Sequence, residues 1–250
     1  MKKFTPSAKQ KKRIRELVQH YLQHREQFEL FLKQLSDHVL GDKDLMENVH
    51  SVRVRTKDPK HLKDKLLRRL YERKAEGKKF DVTTSNLFSK INDLAGFRIL
   101  HLHTRQMDDI NKALLKRLDE ALYPLVEGPV AKTWDDETRK YFGEIQIRVP
   151  NKQKKKKPTL YTSVHYVIRT NLKAKWTCEI QVRTLADEVW GEVDHAINYP
   201  HEVSSVACYE QIQVLARVTT GCSRLVDSIF KSYEENRRFV GLLRKKRSAN

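Results

Sequence analysis

Four segments of this chain carry strand chemistry, and three of them alternate polar with apolar residues: Phe97–Leu100, Glu144–Val149, Ser163–Ile168 and Trp176–Val182. Period-two alternation describes a sheet with one covered and one accessible face. In the last segment Glu179, Gln181 and Arg183 fall on one face while Cys178, Ile180 and Val182 fall on the other. In the third, His165 projects with Ser163 and Val167. A further strand-like stretch, Ser51–Arg55, stands before Pro59, which suits the first turn of a helix. Any fold for this chain must close around those strands.

Helical spacing occupies the rest. Ile14, Leu17, Val18, Tyr21 and Leu22, continued by Phe28, Phe31, Leu32 and Leu35, predict one helix over the first 35 residues. Leu62, Leu66, Leu67, Leu70 and Tyr71 extend a helix from Pro59. Asp108 to Leu122 reads as a helix between the first two of the four strands. Leu185, Val189 and Val193 start another after Thr184, and a last one runs from about Ser204 to Tyr233. The expectation is an α+β fold: a mixed sheet of about five strands flanked by helices, with helical segments at both ends. It divides into an N-terminal helical segment (1–50), a core (51–200) and a C-terminal helical segment with a basic tail (201–250).

Charge narrows the partners. Fifty Lys and Arg stand against 32 Asp and Glu, a net +18 with pI near 9.8. Such a surplus fits a polyanion: a nucleic acid, a phosphorylated small molecule or an anionic membrane. The excess falls in blocks at 1–26, 53–79, Lys152–Lys157 and Arg237–Arg247. No apolar run is long enough for a transmembrane helix, and no apolar core follows the basic N-terminus, so the expected location is cytoplasmic with no membrane partner. Three scattered cysteines make neither a disulfide framework nor a zinc site.

Neither Gly-x-x-x-x-Gly-Lys-Ser/Thr nor Gly-x-Gly-x-x-Gly occurs, and only eight glycines are present. Phosphate binding must then come from side chains, which excludes the common P-loop and Rossmann classes. Asp93, just before Gly96 and Arg98, and Glu179 are carboxylates at strand positions amid Arg53, Arg55, Lys57, Lys63 and Lys65. Mg²⁺ takes one or two such carboxylates and fills its shell with water and phosphate oxygens. The combination points to metal-assisted phosphoryl-group chemistry.

Four segments together resemble the synthetase domain of the RelA/SpoT nucleotide pyrophosphokinases, especially its small single-domain members. They are Arg55-Thr56-Lys57 with Lys65; Asp93-Leu94-Ala95-Gly96-Phe97-Arg98; Tyr161-Thr162-Ser163-Val164-His165; and Glu179-Ile180-Gln181-Val182-Arg183-Thr184 followed by Trp190, Glu192, Asp194 and His195. The resemblance covers about residues 50–200. It implies transfer of the β,γ-pyrophosphate of ATP to the 3′-hydroxyl of GDP or GTP, giving a guanosine tetra- or pentaphosphate alarmone. Asp93 and Glu179 are then catalytic and hold Mg²⁺. Arg55, Lys57, Lys65 and Arg98 bind ATP, and Tyr161, Ser163, His165, Gln181 and Arg183 bind the acceptor. The alternative keeps the chemistry and places the acceptor at the 3′-end of tRNA, as in toxin members of the family; the basic blocks favour it. A homo-oligomer is compatible with the apolar stripes of the terminal helices. A non-catalytic RNA-binding module accounts for the charge but not for two carboxylates in a polyanion site.

Three details complete the reading. Glu144-Ile145-Gln146-Ile147-Arg148 nearly duplicates the 179–183 segment and reads as a structural strand without site residues. Leu160 stands where the family usually has Gly before the Tyr, so this loop is expected to follow another backbone path. His61 replaces a Ser often found within the Arg-x-Lys element.

Overall fold

The computed structural model describes residues 5–151, 160–171, 175–198 and 205–248. The lysine run Lys152–Lys157 lies outside them. Its elements are, in order, α1 (Ala8–Gln23), α2 (Arg25–Leu40), α3 (Lys43–Met46), β1 (Ser51–Thr56), α4 (Pro59–Ala75), α5 (Leu87–Lys90), β2 (Ala95–His101), α6 (Gln106–Glu120), β3 (Leu125–Lys132), α7 (Asp136–Glu144), β4 (Ser163–Arg169), β5 (Thr177–Thr184), α8 (Leu185–Asn198) and α9 (Val206–Ser248). This is the expected α+β architecture. The five strands form one sheet in the order β1-β2-β5-β4-β3. Among the described strands the β2–β5 pair is parallel and the other pairs are antiparallel, so the sheet is mixed.

Register sorts the two faces. Phe97, Ile180 and Tyr166 lie side by side, as do Ile99, Val182 and Val164, and all belong to the main core. That core is completed by Leu17 and Tyr21 of α1, Phe28, Leu32 and Leu35 of α2, Leu62 and Leu66 of α4, and Ile110 and Leu114 of α6. A buried hydrogen bond from Tyr166 Oη to Asn111 Oδ1 (2.7 Å) ties β4 to α6. The opposite face carries two polar rows: Arg53, Arg98, Gln181 and His165 in one, and Arg55, Gly96, Glu179 and Val167 in the other.

Four differences from the sequence expectation have local causes. The N-terminal helix is two helices, because His24 leaves helical geometry (φ −114°, ψ 9°) with its Nδ1 2.9 Å from the His20 carbonyl oxygen. The Glu144–Val149 segment is not a strand. Asp135 caps α7 through Thr138 N, Gln146 turns the chain at φ 61°, and Ile147 packs in the core. Arg148 keeps one bridge to Val130. The strand lies earlier, as β3, where Gly128-Pro129 interrupts the alternation. Proline is tolerated there because β3 is an edge strand with register shifts in its pairing. Gly128 itself has φ +103°, and a Cβ on it would stand 2.4 Å from the His165 carbonyl oxygen. Last, α9 continues to Ser248 rather than stopping at Tyr233.

A smaller apolar cluster sits apart from the main core, where α8 meets α9. Leu160, Trp190, Ile212 and Ala216 are buried there, with Trp134, Tyr161, Val193 and Leu215 against them. Trp190 Nε1 donates to the Ile212 carbonyl oxygen at 3.0 Å. Leu160 is buried in this cluster, next to Tyr161.

Candidate active site

The end of β1 and the start of α4 build a cationic cleft. Lys57 N donates to the Leu94 carbonyl oxygen (2.9 Å), which extends the β1–β2 pairing past its last strand residues. Tyr21 Oη donates to the Lys57 carbonyl oxygen (2.8 Å) and fixes the corner from behind. Asp58 then caps α4 by accepting from Lys60 N and His61 N, and Pro59 supplies the pre-formed φ of the first turn. The result is a cleft of about 390 Å³ lined by Arg55, Lys57, His61, Lys65, Arg68 and Asp93, together with Thr56, Asp58 and His195.

Asp93 is the anionic centre of this cleft. Lys57 Nζ donates to its Oδ2 at 2.6 Å, and Lys65 Nζ stands 2.8 Å from Oδ1. Burial alone would raise the Asp93 carboxyl, but Lys65 and Lys57 outweigh it and hold it below the usual carboxylate range. Burial in turn lowers the Lys57 ammonium against the pull of Asp93. Two lysines on one carboxylate leave the site ready for further negative charge.

Glu179 marks the second centre, one strand across. His165 Nδ1 lies 2.9 Å from its Oε1, and Gln181 Nε2 donates to its Oε2 at 2.8 Å. Burial opposes ionisation of Glu179, yet the hydrogen bond from His165, with Gln181 and Lys132, keeps the carboxyl well below its usual range. Burial also lowers His165, so at neutral pH the imidazole is uncharged and its Nδ1–H donates to Glu179. Lys132, at the end of β3, comes within 3.4 Å of the same ring nitrogen. Gly96 is the neighbour of both Arg55 and Glu179 in the register, and a Cβ there would sit 3.4 Å from Arg55 Cγ. The bare Gly96 backbone is where the Arg55 side chain lies, in the register row that holds Glu179.

Tyr161 stands beside this centre. Its ring meets the His165 ring edge-on (centroids 5.7 Å apart), lies near Trp190, and has the Arg183 guanidinium 5.7 Å from its centroid. Arg183 is itself buried and paired with Glu188, and its guanidinium passes over Gly191, where a Cβ would stand 2.5 Å from Nη1. Ser163 Oγ donates to the Val182 carbonyl oxygen (3.2 Å), inside the sheet. Arg98 pairs with Glu188 and, at 2.5 Å, with Glu192, so α8 carboxylates hold its guanidinium over the sheet.

The structure therefore gathers Arg55, Lys57, Lys65 and Asp93 in one cleft, and Tyr161, His165, Glu179 and Gln181 around a second centre. Arg98 and Arg183 are held in ion pairs with α8, and Ser163 faces backbone. Sequence reading missed Arg68, the cleft role of His61 and His195, and Lys132. His61, Lys65 and Arg68 stand at i, i+4 and i+7 on α4, a spacing that marks one helix face and was legible.

The two carboxylates suit a hard divalent cation. Asp93 is held ionised by Lys57 and Lys65, with Lys65 Nζ 2.8 Å from Oδ1, and Glu179 is ionised beside His165 and Gln181. Among the described residues no group of three or more His, Cys, Asp or Glu forms a self-sufficient metal cage. A hard cation held by these two carboxylates would have to fill the rest of its shell from outside the protein.

The family model for the region found in RelA / SpoT proteins matches residues 54–204. No curated protein sequence matches the chain. Among solved structures, a GTP pyrophosphokinase family protein from Streptococcus pneumoniae shares 17% identity, with 89% of this chain and 95% of that one covered, at a TM-score of 0.56. The small alarmone synthetase 1 from Bacillus subtilis bound to its product pppGpp shares 19%, covering 83% and 93%, at 0.53. The same synthetase bound to AMPCPP shares 16%, covering 86% and 95%, at 0.50. These likenesses establish a common fold.

Proposed function

The chain belongs to the RelA/SpoT family, and from that premise we propose that it transfers the β,γ-pyrophosphate of ATP to the 3′-hydroxyl of GDP or GTP. The observation that supports the reading is a pair of carboxylate centres, the Lys57–Asp93–Lys65 cleft and the His165–Glu179–Gln181 centre, with Arg55 of the cleft laid over Gly96 in the register row that holds Glu179. Arg55, Lys57, Lys65 and Arg68 neutralise the triphosphate of the donor. Asp93 and Glu179 hold Mg²⁺, which contributes further charge neutralisation on the phosphates. Tyr161 offers its ring to the acceptor base, held in place by Arg183, while His165 and Gln181 fix Glu179. The acceptor 3′-oxygen attacks the β-phosphorus, the new O–P bond forms, the α–β bridging bond breaks and AMP leaves. Glu179 receives the hydroxyl proton. Positioning and charge neutralisation supply most of the acceleration in such transfers.

A tRNA 3′-end as acceptor is favoured by one observation. The basic helix α1 packs beside α4, bringing the blocks at 1–26 and 53–79 together next to the donor cleft. We assign transfer to the 51–200 core in a cytoplasmic setting, with the helical segments 1–50 and 201–250 packed around it. Val214, Val218, Leu225 and Ile229 of α9, all exposed, suit self-association. The deciding experiment offers γ-³²P-ATP and Mg²⁺ with GDP, GTP, ATP and deacylated tRNA in parallel. Label on a guanosine nucleotide supports the proposal; label on tRNA alone replaces it with the second reading; no label on any acceptor overturns both.

A further inference from the structure

The donor cleft contains two imidazoles that the transfer chemistry does not use. His61 comes from α4 and His195 from α8, and their rings meet at 5.8 Å between centroids with planes at 71°. They face a dense set of charges: Arg55 from β1 and Lys57 just after it, Lys65 and Arg68 from α4, Asp58 at the α4 cap, Asp93 before β2, and Glu192 on α8 itself. Partial burial, then Arg55 and His61, hold His195 below the ordinary histidine range, and Glu192 offsets this only in part. The fixed cations of the cleft thus disfavour a charge on this imidazole. A triphosphate brings three to four negative charges into the same volume and reverses the sign of that field.

We propose that His195, faced by His61, is a phosphate contact that takes up a proton from solvent as the donor triphosphate enters the cleft. Donor binding is then linked to proton uptake. The inference rests on the donor reading of this cleft. Its chemistry asks for a polyphosphate rather than a single phosphate, because two imidazoles and four fixed cations are distributed along the cleft. Affinity must weaken as pH rises, since the bound state holds more protons than the free state.

The test is titration calorimetry of the whole chain with the magnesium complex of AMPCPP, whose phosphates are fully ionised around neutral pH. Runs in buffers of different ionisation enthalpy at the same pH count the protons exchanged. The expected result is uptake of roughly half a proton or more per analogue at about pH 7.5, and affinity about three- to tenfold weaker at pH 8 than at pH 7. His195→Gln should lose both the uptake and the pH dependence. His195→Lys, which fixes the charge on an exposed side chain, should keep tight binding at pH 8 with the uptake gone, a result that a merely structural histidine would not give. His61→Gln should reduce the uptake with the fold retained by circular dichroism. Binding without proton exchange, or uptake unchanged in His195→Gln, overturns the inference and leaves the donor reading intact. Failure of the unmodified chain to bind the analogue at any pH overturns the donor reading itself.

Discussion

Glu188 is the most consequential carboxylate outside the two half-sites, and its removal is predictable in magnitude. Its side chain is 9% exposed and pairs with Arg183, which is 3% exposed, and with Arg98, which is 13% exposed. Glu188→Gln keeps the volume but removes the charge, leaving the Arg183 cation buried without its anion. Breaking a buried pair from one side costs about 3–5 kcal/mol. Arg98 keeps Glu192, and glutamine still accepts one hydrogen bond, so the lower end applies, about 3 kcal/mol. For a chain of this size that lowers Tm by roughly 6–12 °C. The Arg53 contact adds little, because Arg53 is 63% exposed. The control is Glu192→Gln, whose carboxylate is 51% exposed and whose loss should cost no more than about 0.5 kcal/mol. Urea unfolding followed by tryptophan fluorescence measures both. A Glu188→Gln loss below about 1 kcal/mol, or equal losses for the two variants, would refute the view that the Arg183–Glu188–Arg98 group is a desolvated network.

Three other outcomes follow from single contacts. Asp81 accepts two hydrogen bonds from Arg69 (3.0 and 2.8 Å), which hold its carboxyl far below the usual range, so Asp81→Asn should cost about 1–2 kcal/mol at pH 7. Because the folded value is depressed, that difference is fully present above the unfolded carboxyl's pKa of about 4 and narrows as pH falls below it; parallel urea midpoints at pH 7 and in acid check the sign. Gly128→Ala forces a Cβ against the His165 carbonyl at a positive φ, and should cost about 2–4 kcal/mol by the same unfolding measurement while slowing transfer through displacement of His165. Leu160→Ala opens the small cluster at Trp190 and Ile212 and should cost about 2–4 kcal/mol in urea unfolding, with a shift of the tryptophan emission.

Much of the site was legible because strands announce their faces. The alternation in Trp176–Val182 placed Glu179 and Gln181 opposite Cys178 and Ile180, and the register bears this out. Pro59 marked the start of α4 and thereby the position of Lys65. Other features depend on partners distant in sequence. Nothing near His24 marks it as a helix boundary, and the apolar stripe runs on across it. The repeated Glu-Ile-Gln pattern at 144–146 has strand periodicity, yet the Asp135 cap and the turn at Gln146 draw it into the end of α7. β3 was hidden by Gly128-Pro129, which only an edge position beside β4 can accommodate. Pairing of Arg98 with α8 carboxylates, and of Lys132 with the His165 centre, required the tertiary fold.

The central claim is that one sheet face joins donor and acceptor chemistry through Glu179. Its most direct test is single-turnover transfer by the unmodified chain and by Glu179→Gln, each first shown to bind AMPCPP. The account predicts label on the guanosine acceptor for the unmodified chain and a rate at least about 100-fold lower for the variant, with analogue affinity within about threefold. Equal rates for the two proteins would contradict it.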